Sequence, residues 1–225
     1  MRSLKDIPEG EWKGKRVLVR AGLDLPLDDH GQVSDIFRLR RSLATITFLA
    51  DKGARVIVIS KVGRDPKESN APIGAAMKRY LSVFFVPDIV GTVAKSAIAA
   101  MKNGDILLLE NLQQDPREVS GDESFGKELA ALADIYVNDA FPSAHRESTS
   151  MTVLPKLLPS YAGLLMQEEV DTLVQARTPG SPSFAILGGA KFETKAPLIS
   201  LLLEKYDNVF ITGALANDVF KARGL

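Results

Sequence analysis

Short, β-branched apolar runs alternate along this chain with longer amphipathic ones, and that alternation restricts it to a parallel sheet covered by helices. Arg55-Val56-Ile57-Val58-Ile59 is the clearest run, too short for a helix and bounded by turn residues. Strands are likewise expected at 16–20, 84–86, 106–109 and 135–137. Spacing predicts a helix over 38–52, with Leu39, Leu43, Ile46 and Leu49 on one face and Gly53 stopping it. Further helices are expected at 71–81, 90–101 and 122–132.

Beyond Pro155 and Pro159 the pattern changes. One amphipathic helix is expected over 162–176, closed by the breaker Thr178-Pro179-Gly180-Ser181-Pro182. A new series follows: strand 184–187, helix 195–204, strand 208–211, helix 216–222. The expected fold is therefore α/β: a three-layer αβα, Rossmann-like N-terminal domain over 1–158, an interdomain helix and linker over 159–182, and an incomplete second α/β domain over 183–225.

Composition narrows the function classes. Of the 225 residues 45% are hydrophobic and 25% charged, enough to bury a core. Lys plus Arg equals Asp plus Glu at 28 each, so no global field draws the molecule to nucleic acid or membrane, and any anion site must be a local cluster. The absence of cysteine excludes disulfides, thiolate metal sites and a thiol nucleophile, and two histidines make a histidine-rich metal site unexpected. His30, between Asp29 and Gly31, reads as a surface turn, and His145 as a hydrogen-bonded structural residue rather than a base. No apolar run approaches the ~20 residues that span a bilayer, and the N-terminus is polar, so the cytoplasm is the expected compartment.

In open parallel sheets, ligands bind beyond the carboxyl ends of the strands. The residues just past each expected strand are Asp24, then Lys61 and Arg64, then Asn111 and Gln113, then Asn138, Asp139, His145 and Arg146. Arg38 opens the first long helix, where its guanidinium can swing to the same rim. Three arginines and a lysine there would suit a small, multiply anionic ligand, because the planar guanidinium binds phosphate or carboxylate oxygens bidentately. The competing reading is that these arginines are solvated or paired with Asp and Glu. Gly188-Gly189-Ala190-Lys191 follows a strand and opens a helix, which lets backbone N–H groups approach a phosphate; Lys195 lies one helical turn beyond Lys191. It is not a Walker A sequence. Gly213 repeats the strand–small-residue–helix design.

Taken in order, Arg20…Pro26, Arg38, Ser60-Lys61-Val62-Gly63-Arg64, Tyr136-Val137-Asn138-Asp139-Ala140-Phe141 with His145-Arg146, and Leu187-Gly188-Gly189-Ala190-Lys191 resemble the phosphoglycerate kinase family from about Arg16 to Gly224. The resemblance implies transfer of a phosphoryl group between 1,3-bisphosphoglycerate and ADP, giving 3-phosphoglycerate and ATP, by a cytoplasmic monomer. It assigns Arg38, Arg64 and Arg146 to the glycerate side, with Asp24, Lys61 and Gln113 at substituted positions of the same site. It assigns Gly189, Ala190, Lys191, Lys195 and Gly213 to the nucleotide side, and makes Arg38 and Lys195 the catalytic cations. Mg²⁺ would arrive with the nucleotide, its protein ligand lying outside this chain.

Departures from the family pattern are concentrated on the glycerate side. Ala21-Gly22-Leu23-Asp24-Leu25-Pro26 stands where the family reads Val-Asp-Phe-Asn-Val-Pro, Lys61 replaces a histidine, and Gln113 replaces an arginine. Asp24 is expected to face the ligand's hydroxyl and stand in for the carboxylate missing at Gly22. Nothing resembles the family's later acidic and Gly-rich nucleotide segments, so this chain alone is expected to be inactive. The alternative is a non-catalytic, drifted phosphoglycerate-binding paralogue or remnant.

Overall fold

The computed structural model describes residues 2–224; Met1 and Leu225, which the expected domain boundaries include, lie outside the described residues. The chain divides into two compact units, one running to Glu169 and the other starting at Val170.

The first unit is a six-stranded, wholly parallel sheet. Its strands are β1 (Arg16–Ala21), β2 (Arg55–Ile59), β3 (Val83–Val86), β4 (Ile106–Leu109), β5 (Ile135–Asp139) and β6 (Ser160–Ala162), in the order β3-β4-β2-β1-β5-β6. Helices α1 (Ile36–Asp51), α2 (Ala71–Met77), α3 (Thr92–Ala99), α4 (Glu123–Ala130) and α5 (Leu154–Leu157) connect and cover it. Successive strand residues point to opposite faces. Val17, Val19, Val56 and Val58 therefore pack under Leu39, Ile46 and Leu49 of α1 and Ile73 and Met77 of α2. Leu18, Ile57, Leu107 and Tyr136 pack on the other face with Ile98 of α3 and Phe125 and Leu129 of α4. Two cores on one sheet give the three layers that the alternation of runs predicts.

Most boundaries shift by a few residues, for local reasons. α1 starts two residues before the expected Arg38 because the Asp35 carboxylate accepts the Arg38 amide at 3.1 Å and caps the helix. Asp122 caps α4 in the same way, accepting Phe125 N–H at 2.9 Å. α2 ends at Met77, short of the expected 81. β6 was not legible: Ser160-Tyr161-Ala162 has no pattern of its own, and pairs only because β5 offers a free edge. The long helix α6 (Leu164–Ala176) follows it, and the division between the two units falls inside α6.

The second unit holds two parallel strands, β7 (Phe184–Gly188) and β8 (Asn208–Thr212), with α7 (Phe192–Lys205) and α8 (Ala214–Ala222). Parallel strands ordinarily have both faces covered. Here Phe184, Ile186 and Phe210 are each more than half exposed, whereas Ala185 and Leu187 are buried. Less apolar area leaves water per hydrogen bond, so opening should be easier. In native-state hydrogen exchange the amides of β7 and β8 are expected to exchange at least roughly tenfold faster than those of β1 and β2, a difference of about 1.4 kcal/mol in opening free energy. Equal protection would show that this small sheet is stabilised as well as the large one.

Candidate functional site

A cleft of about 610 Å³ opens at the carboxyl ends of the strands of the larger sheet, lined by Arg20, Lys61, Arg64, Gln113, Glu118, Val119, Arg146, Glu147 and Ser148. These residues come from the end of β1 and from the segments after β2, β4 and β5. The strand order reverses at β1, which has β2 on one side and β5 on the other, and such a reversal is where loops part to leave a crevice. Four cations and two carboxylates meet there on a chain of zero formal net charge.

The segment carrying Lys61 and Arg64 is held from behind. Glu110 is buried and accepts N–H of Asn70 at 2.8 Å and of Asn111 at 2.7 Å, with the Ser69 hydroxyl at 2.8 Å. The Asn111 side chain accepts Val62 N–H at 3.1 Å and donates to the carbonyls of Val62 at 2.9 Å and Glu68 at 2.8 Å. Asn111 is thus a fixed post rather than a cleft residue. Gln113 does line the cleft, but its amide nitrogen donates to the Arg64 carbonyl.

Asp24 departs from its expected role. Its Oδ1 accepts Gly63 N–H at 2.8 Å and its Oδ2 takes Lys61 Nζ at 3.3 Å, so both oxygens face the 61–64 segment rather than the open cleft. The two substituted residues, Asp24 and Lys61, are partners. Arg38 is a second departure: its Nε pairs with Asp35 at 3.2 Å, its side chain is 64% exposed, and it is not part of the cleft wall. His145 is exposed, and His30 lies in the expected surface turn, its amide donating to Asp28.

Asn138 and Asp139 lie inside β5 rather than past it. Asp139 is a structural cap: its Oδ1 accepts Met166 N–H at 3.0 Å at the start of α6, while Oδ2 is buried with no partner among the described residues. Gly163 is required beside it, since a Cβ there would come within 2.2 Å of Asp139 Oδ1.

Several cleft residues escaped the reading of motifs. Glu118, Glu147 and Ser148 sit in segments with no periodicity, and only the fold brings them to the rim. Arg20 carried a usable signal, as a charge inside an otherwise apolar strand.

In the second unit, Leu215 N–H donates to the Gly189 carbonyl at 2.9 Å, which ties the turn after β7 to that after β8. Gly213 has φ 66°, a backbone state that disfavours a side chain. A Cβ on Gly189 would lie 3.5 Å from Lys195 Cε, so the Lys195 stem runs along the glycine turn. Gly189, Lys195 and Gly213 are therefore neighbours. Lys191 is an extended residue at the N-cap of α7, not one helical turn below Lys195 on the same helix face, and both Ala190 and Lys191 are exposed. Among the described residues no group of three His, Cys, Asp or Glu side chains could hold a metal ion.

Fold and cleft together define an α/β protein with a cationic rim at the carboxyl end of a parallel sheet. The family model for phosphoglycerate kinase matches residues 4–225. Phosphoglycerate kinase of Aquifex aeolicus is 42% identical over 99% of this chain and 57% of its own length; the cytosolic enzyme of Triticum aestivum is 42% identical over 100% and 58%. Among solved structures, phosphoglycerate kinase of Pyrococcus horikoshii superposes with a TM-score of 0.88 at 29% identity, covering 100% of this chain and 58% of that one. The chain belongs to the phosphoglycerate kinase family, and it spans a little over half the length of the relatives it matches.

Burial pushes the Asp139 carboxyl above the ordinary range, against the hydrogen bonds from Met166, Thr45 and Leu165. The folded state therefore keeps this proton to higher pH than the unfolded chain. The stability it contributes is fully present below the unfolded value and is lost as pH rises through the folded one. Asp139→Asn should remove this dependence. Urea midpoints measured from pH 4 to 7 are expected to move in favour of Asp139→Asn as pH rises; a constant offset would mean that Asp139 does not titrate with folding.

Proposed function

We propose that this chain contributes the glycerate-binding side, and the start of the nucleotide-binding side, of a kinase that moves a phosphoryl group between 1,3-bisphosphoglycerate and ADP, giving 3-phosphoglycerate and ATP. The observation that carries this reading is the convergence of Arg20, Lys61, Arg64 and Arg146 on one cleft. Family membership supports it independently. An acyl phosphate is already activated, so the chemistry needs alignment and charge neutralisation more than a general base. Arg64 and Arg146 would hold the phosphate or carboxylate of the glycerate, and Lys61, steered by Asp24, would add a third cation. Gln113, which stands where the family has an arginine, steadies Arg64 through its carbonyl instead of contributing charge.

Gly189, Gly213 and Lys195 would receive the nucleotide phosphates, with Lys191 and Ala190 at the outer edge. Mg²⁺ would arrive with the nucleotide; among the described residues no group of three His, Cys, Asp or Glu side chains could hold it. Arg38 would reach a ligand only after leaving Asp35. The expected setting is a monomer in the cytoplasm, in keeping with the wheat relative named as cytosolic; among the described residues no helix is long and apolar enough to cross a membrane.

Calorimetric titration with 3-phosphoglycerate at low salt tests the glycerate side. Arg64→Ala and Arg146→Ala should each raise the Kd roughly ten- to a hundredfold, the value of one charge-assisted hydrogen bond at ~1.5–3 kcal/mol. Arg38→Ala should have a smaller effect, because its side chain lies outside the cleft. Asp24→Asn should weaken binding by removing the carboxylate that steers Lys61. Unchanged affinity in both Arg64→Ala and Arg146→Ala would reject a glycerate site in this cleft.

A further inference from the structure

Arg20 lies within β1, between strands on both sides, and is only 3% exposed. A guanidinium removed from water is costly unless charge and hydrogen bonds replace the water. Its Nε donates to Ser150 Oγ at 3.2 Å and its Nη1 to the Ala21 carbonyl at 2.7 Å. Nη2 makes no hydrogen bond to the described residues, and Arg20 forms part of the cleft wall, so Nη2 is the nitrogen left to meet a ligand there.

The opposite charge is one residue removed. Glu118, also 3% exposed, accepts Ser150 N–H at 3.0 Å and the Ser150 hydroxyl. That hydroxyl proton is thereby committed to Glu118, and the lone pairs of Oγ remain for Arg20 Nε. Tyr136 on β5 donates its hydroxyl to the Ser150 carbonyl at 2.6 Å. Ser150 is thus fixed by three contacts and in turn fixes the guanidinium.

We propose that Glu118 is a positioning residue for the anion site: through Ser150 it holds Arg20 with Nη2 facing the cleft, and it takes up one proton from solvent when an anionic oxygen occupies that nitrogen. The inference rests on reading the cleft as an anion site. Before a ligand arrives, the Glu118 carboxylate is the counter-charge of a buried cation. An anion at Nη2 places a second negative charge on the same guanidinium, and that raises the proton affinity of the carboxylate. Burial already holds Glu118 above the ordinary carboxylate range, although the Ser150 hydrogen bonds, the Arg20 charge and the Ser148 hydroxyl oppose the shift. The groups facing this pair are Tyr136 of β5, Ser148 and Ser150 after it, and around the cleft Asp24, Lys61, Arg64, Arg146 and Glu147.

Sulfate is a suitable probe because its charge does not change across the working pH range, so a proton taken up belongs to the protein. Binding to the whole chain would be followed by the Arg20 Nε–H resonance in ¹⁵N spectra, at pH values from 6 to 8. The wild-type Kd should rise with pH, by up to about tenfold per unit for one linked proton, and sulfate should shift the Arg20 resonance. Glu118→Gln keeps an acceptor for Ser150 but has no proton to gain, so its Kd should be flatter with pH. Any contribution of His145, beside Arg146, is common to both proteins and cancels in the comparison. Ser150→Ala should weaken sulfate binding while retaining the pH slope. Equal slopes in wild type and Glu118→Gln, or an Arg20 signal indifferent to sulfate, would overturn the proposal. Should Glu118→Gln fail to fold, sulfate heats measured for the wild type in two buffers of different ionisation enthalpy decide it, with no proton uptake as the overturning result. Arg64→Ala and Arg146→Ala report separately: sulfate binding that ignores both would reject the cleft itself, whereas binding lost in both with equal pH slopes would reject only the role of Glu118.

Discussion

The burial of β1 from both faces and along both edges is the constraint on which the larger unit depends. Val17 and Val19 lie in one core, Leu18 in the other, and the strand pairs in parallel with β2 and β5. Parallel strands need crossovers, so each strand must be followed by a segment that climbs over a face of the sheet. All carboxyl ends then lie along one rim. The cleft follows from that arrangement, because the segments leaving β1, β2, β4 and β5 part where the strand order reverses.

Two buried carboxylates organise that rim in different ways. Glu110 gathers amide and hydroxyl donors and pins the 62–70 segment, which lets the exposed Arg64 sit on a rigid base. Glu118 acts on charge as well as shape, since the guanidinium it steadies is itself buried. A basic cleft with an internal carboxylate is less cationic than its arginines suggest, and that moderates the cost of packing four cations together before any ligand is present. Burial holds the Arg20 guanidinium below its ordinary value, with the Glu118 charge opposing that shift.

The residues that depart from the family pattern, Asp24, Lys61 and Gln113, form linked contacts rather than scattered losses. Asp24 and Lys61 pair with each other, Asp24 also takes the Gly63 amide, and Gln113 supports the Arg64 carbonyl. Three departures from the family pattern therefore meet on a single four-residue segment. In the smaller unit, by contrast, the glycine turns are neighbours but the sheet beneath them leaves Phe184, Ile186 and Phe210 uncovered.

Local pattern determined much of this protein by itself. Alternating run lengths fixed the α/β class and nearly every strand, since apolar periodicity is a property of neighbours in sequence. Resemblance in ordered motifs marked Arg64, Arg146, Gly189, Lys195 and Gly213. Other features were decided only by tertiary structure. β6 exists because β5 has an edge to offer. Asp139 is a helix cap because α6 begins against it, and Arg38 is turned outward because Asp35 caps its helix and holds its guanidinium. Glu118 meets Arg20 across 98 positions of chain through Ser150, a contact that depends on strand order and on burial. Periodicity records which face a residue takes, whereas the partner it finds there depends on how distant segments pack, and no local run of sequence carries that information.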